Sequence, residues 1–217
     1  MKTCSQYRNL AWNSLTNKWN DAALTMFILC IIAVAFNVPS SIAPILGLPY
    51  QWSYSMGGLG VAIALLLVLP LEWGFYVALL QMIRGEQGSI FTMMWNNFKT
   101  NYTRYLPAAI LVAVLTGLLG AVTLGIGGII LGLAYAMTPF VLQDNPELTT
   151  VDALKASREL MRGHKWDLFV LYLSFIGWFL LGIITCGIAF FWIQPYISTA
   201  EAHFYEDITA DVTIEVC

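Results

Sequence analysis

The sequence predicts an all-α, multi-pass membrane protein with about six transmembrane helices in three hairpins, each hairpin preceded by an amphipathic interfacial helix. Three observations predict it. Of 217 residues, 59% are hydrophobic and 11% are charged, whereas soluble domains carry roughly 45 to 50% apolar and about 25% charged residues. Apolar stretches of about 17 to 25 residues, enough to cross a hydrocarbon core, recur along the chain. All 10 Lys and Arg residues fall on one side of that arrangement.

The spans are expected at 22–38, 57–83, 106–123, 126–142, 167–185 and 187–204, within a single integral membrane domain over 1–217. The last four form two hairpins that turn at Thr123-Leu124-Gly125-Ile126-Gly127 and at Thr185-Cys186-Gly187-Ile188, where glycine permits a sharp reversal. The first apolar stretch follows roughly twenty polar and mixed residues, and Pro44 comes after Ser41-Ile42-Ala43, so an uncleaved anchor is expected.

Lys2, Arg8 and Lys18 precede the first span. Arg84, Lys99 and Arg104 lie between the second and third, and Lys155, Arg158, Arg162 and Lys165 between the fourth and fifth. The opposite side, Pro39 to Met56 and the two tight turns, carries no charge of either sign. Basic residues are retained in the cytoplasm, so both termini are expected there. A net charge of −3 without a polybasic run excludes nucleic acid as a partner. The four cysteines have neither metal-site nor disulfide-framework spacing.

Each odd-numbered span has an amphipathic approach. Tyr7, Ala11, Leu15 and Trp19 recur every four residues before the first; Phe91, Met94, Trp95, Phe98, Tyr102 and Tyr105 form a stripe before the third; Val151, Leu154 and Met161 share a face with Ser157 before the fifth. Thr149 with Asp152 marks the start of that last helix, and Gly163 its end. Trp12, Trp19, Phe91, Trp95, Phe98, Tyr102 and Trp166 are the candidate lipid contacts, because such rings suit the headgroup boundary. Packing under the bundle is the alternative use of the same stripes. The entries Lys18-Trp19-Asn20-Asp21 and Lys165-Trp166-Asp167, with Pro70, Pro139 and Pro195 in the even spans, suggest a diverged threefold repeat over 1–83, 84–145 and 146–207, ahead of an acidic tail over 208–217.

No hydrolase, metalloprotease or phosphate-loop signature is present, so neither catalysis nor a cofactor is expected. Gly128 and Gly132 form a Gly-x-x-x-Gly pair that allows close helix approach, within the chain or between two copies. His203 stands near Glu201, Glu206 and Asp207, where solvated charge at a helix mouth is the plainer account than a metal site.

Glu72, two residues after Pro70, lies about 10 Å inside the cytoplasmic edge of its span by helical rise. Tyr76, Thr138, Tyr172, Ser174, Tyr196 and Ser198 are expected at similar depth, with Gln194 and Tyr135 somewhat deeper, making a polar layer in the bundle. Pro70 adds the carbonyl of Leu66, which loses its helical donor. No basic residue is expected at that depth. An intramembrane acid is a functional candidate because its burial is costly unless it is paired or protonated; a hydrogen bond to a neighbouring helix or to the Leu66 carbonyl is the structural alternative.

The C-terminal third carries Ser157-Arg158-Glu159-Leu160-Met161-Arg162-Gly163, Leu173-Ser174-Phe175-Ile176-Gly177-Trp178, Thr185-Cys186-Gly187-Ile188, Pro195-Tyr196 and Phe204-Tyr205-Glu206-Asp207 in that order. It resembles domain-of-unknown-function family 975, with Ala189 where members usually have a glycine. The resemblance implies a bacterial cytoplasmic-membrane protein and supplies no substrate. The expected function is a non-enzymatic membrane module that binds lipid or partner proteins, a second copy included. The alternative is a small transporter or proton-coupled conduit using Glu72.

The charge segregation makes a direct prediction. In a cysteine-free background, an introduced cysteine at Ser53 reacts with an impermeant thiol reagent applied to intact spheroplasts, and one at Asn101 does not. The reverse pattern contradicts the orientation.

Overall fold

The computed structural model describes residues 2–42, 49, 51, 57, 58, 60 and 62–215, and every regular element among them is helical. The remainder of the uncharged connection up to Met56, and Cys217, lie outside the described residues. Helix α1 (Cys4–Leu15) meets α2 (Trp19–Ile42) at a bend of 93°. A π-helical stretch, Ala64–Val68, leads into α3 (Leu69–Ile83), followed by α4 (Ile90–Val122), α5 (Ile126–Tyr135) and α6 (Thr138–Asp144). Then come α7 (Thr150–Leu160), α8 (Lys165–Leu173), α9 (Ile176–Ile184) and α10 (Phe190–Glu215).

Among the described residues, Leu65–Ile83, Ile90–Val122, Ile126–Asp144 and Lys165–Ile184 are long and apolar enough to cross a membrane, and the bent α1–α2 pair makes a fifth if it is one span. The region expected as the last span is helical, but α10 carries Glu201, Glu206 and Asp207 and is not in that set. The third span and its amphipathic approach are one continuous helix of 33 residues, running through Pro107. Two other spans are broken where one rod was expected. Pro139 follows the break between α5 and α6, and Ser174 and Phe175 separate α8 from α9.

The amphipathic stripes pack inward on part of their length. Tyr7, Ala11 and Leu15 of α1 are buried, with the Tyr7 ring 5.6 Å from Phe204 of α10. Met94 and Tyr105 of α4 are buried too, while Trp95 stays exposed. In α7, Leu154 and Ser157 are buried and Met161 just beyond is as well, while Val151 is exposed. Thr149 caps that helix by accepting from the Asp152 backbone at 3.3 Å, and Gly163 takes the left-handed conformation beyond its end at φ 91°.

The two reversals have one geometry. Leu124 and Gly125 have φ 52° and 95°, and Cys186 and Gly187 have φ 51° and 92°. The Thr123 hydroxyl donates to the Leu119 carbonyl at 2.6 Å and accepts from Gly127 N at 2.7 Å. The Thr185 hydroxyl donates to Leu181 at 2.9 Å and accepts from Ala189 N at 3.1 Å. The threonine thus supplies hydrogen bonds that a chain reversing in apolar surroundings must find internally.

At the other end, charged side chains bind the loops together. Arg84 grips Asp144 through both terminal nitrogens at 2.6 and 2.8 Å and reaches Glu206 through Nε at 2.6 Å; Tyr205 also donates to Asp144 at 2.8 Å. The hydrogen bonds to Asp144 are the main reason the Arg84 pKa rises further above its ordinary value. Asp207 accepts from Lys2 and, at 2.6 Å, from the Tyr7 hydroxyl. Burial works to raise the Asp207 pKa, but these bonds and the Lys2 charge outweigh it and hold the carboxyl below its usual range. Asp21 caps α4 by accepting from Ser89 Oγ at 2.9 Å and Ile90 N at 2.7 Å.

Glycine sets the closest helix approaches. A Cβ on Gly74 of α3 would lie 2.9 Å from the Met94 carbonyl oxygen of α4, and one on Gly128 would lie 3.0 Å from Gly120 Cα. At Gly132, the other half of the Gly-x-x-x-Gly pair, a Cβ would meet nothing within 4 Å. Gly74→Ala is therefore expected to cost about 1 to 3 kcal/mol by forcing α3 from α4, and Gly132→Ala to cost nothing measurable. Thermal unfolding in detergent checks the pair; equal effects contradict the packing.

Candidate functional site: an acid-lined cavity and an aromatic pocket

The polar layer divides into two groups on different sides of its chemistry. In the first, a cavity of about 450 Å³ is bounded by Trp73 and Tyr76 of α3, Tyr135 of α5, Pro139 of α6, Tyr172 of α8 and Glu201 of α10. Tyr172 and Glu201 both face this cavity, within electrostatic reach of one another. Tyr76 lies within electrostatic reach of both Glu201 and Glu72, and accepts from Gln194 Nε2 at 3.4 Å. Glu72 is half-buried one turn before Tyr76, and no hydrogen bond or ion pair to another described residue is found for it.

Proline shapes this cavity. Without an N–H, Pro139 leaves the Tyr135 carbonyl unmatched, and the buried Thr138 hydroxyl donates to it at 2.7 Å. Pro70 does the same to the Leu66 carbonyl, which takes a hydrogen bond from Tyr102 of α4 at 3.2 Å. That carbonyl is thus capped from another helix and not by Glu72. The π-helical stretch just before Pro70 widens the backbone where the ring would otherwise crowd it.

The second group gathers at α1. Tyr196 is buried among Trp12, Trp19, Phe175 and Trp178, with ring centroids 5.8, 5.9, 5.0 and 5.7 Å away. Its hydroxyl donates to the Arg8 carbonyl at 3.2 Å. The Arg8 guanidinium in turn donates to the Ser174 carbonyl at 2.8 Å, at the break between α8 and α9, and Ser174 Oγ donates to Leu171 at 2.6 Å. A basic residue therefore does reach the expected polar layer, delivered by the α1–α2 bend. Beside this cluster, Trp12, Trp19, Trp178, Trp192, Ile193 and Tyr196 line a pocket of about 320 Å³. Ser198 is fully buried, its hydroxyl without a partner among the described residues.

The other candidate rings follow the polar end. Trp95 stacks on Phe98 at 5.6 Å, Phe98 meets Tyr102 at 5.2 Å, and the Lys99 ammonium lies 5.3 Å from the centre of the Trp95 ring. Phe91 is half-buried, and Trp166 is exposed beside Phe169. Glu201, His203, Glu206 and Asp207 diverge: His203 Nε2 meets Ser14 Oγ at 2.9 Å, Glu206 takes Arg84 and Asp207 takes Lys2.

Sequence reasoning missed the place of Glu201 in the polar layer. The available signal was its seven-residue spacing from Gln194, which puts both on one helix face. Trp178 and Trp192 were also missed, because apolar rings in apolar spans have no periodic signature of their own.

Residues 119–212 match the family described as "Protein of unknown function (DUF975)", the family whose motifs the C-terminal third carries. No curated protein and no solved structure matches the chain. The matched segment includes both turns, α5 to α9 and the cavity-facing part of α10.

Proposed function

We propose that the protein is a non-enzymatic module of the bacterial cytoplasmic membrane, with six spans in three hairpins and both termini cytoplasmic, that binds lipid at the aromatic pocket beside α1. The carrying observation is that pocket, whose four tryptophans and one tyrosine come from four helices, α1, α2, α9 and α10. Such rings offer an apolar body to acyl chains and an N–H or O–H to ester and headgroup oxygens. At about 320 Å³ the pocket suits a segment of a chain and its glycerol end, not a whole lipid. The orientation is supported by the gathering of Lys2, Lys18, Arg84 and Asp144 with Glu206 and Asp207 of α10, while both threonine turns are uncharged.

A protein partner or second copy is the competing occupant of the exposed rings. A small transporter using Glu72 is favoured by one observation, the cavity bounded by Tyr76 one turn away.

Native mass spectrometry after detergent exchange tests the lipid site. The native protein is expected to retain phospholipid, and Trp12→Ala with Trp192→Ala to retain roughly tenfold less, equivalent to about 1.4 kcal/mol. Equal retention contradicts the proposal.

A further inference from the structure

Glu201 stands apart from its neighbours on α10. Glu206 is paired with Arg84 and Asp207 with Lys2, whereas no ion pair to Glu201 is found among the described residues. It lines the cavity beside Tyr172, and a carboxylate has about four lone-pair sites, more than one hydroxyl neighbour can fill. The rest of that wall is largely aromatic and apolar, and about 450 Å³ lies within the roughly 300 to 1,000 Å³ of small-molecule sites.

We propose that this cavity binds a monovalent organic cation, an amine or quaternary ammonium with apolar substituents, whose charge pairs with Glu201 against the rings of Trp73, Tyr76 and Tyr172. Aromatic faces attract such cations, and more strongly where water is excluded. Other ligand classes fit less well. An anion meets Glu201 and, near Tyr76, Glu72. A divalent metal needs several N, O or S ligands, and no group of three or more His, Cys, Asp or Glu that could hold one occurs among the described residues. A neutral acyl chain makes no use of a carboxylate. The site goes beyond the lipid function and does not depend on it, since the two cavities share no lining residue.

The test uses full-length protein in nanodiscs and radiolabelled benzyltrimethylammonium, with neopentylbenzene as its neutral isostere. Saturable binding is expected, displaced by unlabelled cation and not by neopentylbenzene. Glu201→Gln is expected to weaken it by at least about tenfold. Gly132→Leu, which grows from a Cβ position with open space around it, is expected to block it. Trp192→Ala, in the lipid pocket, leaves it unchanged, so failure of one site is distinguishable from failure of the other. Absence of saturable binding, native affinity in Glu201→Gln, or displacement by neopentylbenzene overturns the proposal. Because Glu201→Gln can misfold, native protein supplies a second measurement, labelling of Glu201 by a hydrophobic carbodiimide. Protection by benzyltrimethylammonium supports the site, and labelling unchanged by it overturns the site.

Discussion

In hydrocarbon every backbone group that loses its helical partner must find another within the protein, and that requirement governs how this bundle is built. Pro70 and Pro139 each remove a donor, and each freed carbonyl takes a hydroxyl: Tyr102 on Leu66 from a neighbouring helix, Thr138 on Tyr135 from within the break. The first repair ties α3 to α4 and the second lies at the break between α5 and α6. Tyr135 and Pro139, on either side of that break, both line the acid-bearing cavity. The proline breaks are thus where the apolar interior opens, and the hydroxyls make the openings tolerable.

The same economy operates at the helix ends. Asp21 caps α4, the Arg8 side chain covers the carbonyl at the end of α8, and Arg104 donates to Leu142 in the last turn of α6 and to Asn145 just beyond it at 3.0 and 2.9 Å. The same basic residues fasten one element to another. Surface ion pairs alone contribute little; here the bidentate Arg84–Asp144 contact adds geometric specificity to charge.

All-helical membrane architecture was legible because composition and charge segregation are properties of long windows. The threonine–glycine turns were legible because each places a glycine two residues after its threonine, where the chain reverses with φ near 90°. The stripe of Tyr7, Ala11 and Leu15 was visible, but amphipathicity alone cannot say whether an apolar face meets lipid or protein; here it meets α10. The Tyr102 hydroxyl that meets the carbonyl freed by Pro70 lies 36 residues away, so sequence reading could not pair the two. Glu72 drew notice as a lone acid in a clean apolar run. Glu201 was hidden among the acids that follow it, although it lines a cavity.

Together the bent α1, the aromatic pocket and the Glu201 cavity depend on helices that are broken yet satisfied. A double-mutant cycle on unfolding free energy, combining Pro70→Ala with Tyr102→Phe, tests that dependence most directly. In the native background, removing the Tyr102 hydroxyl should cost about 1 to 2 kcal/mol, because the Leu66 carbonyl is left without a donor. In the Pro70→Ala background, where the substituted residue supplies an N–H, the same removal should cost little, giving a coupling of about 1 kcal/mol or more. An equal cost in both backgrounds would contradict the claim that the tyrosine repairs the bond that the proline breaks.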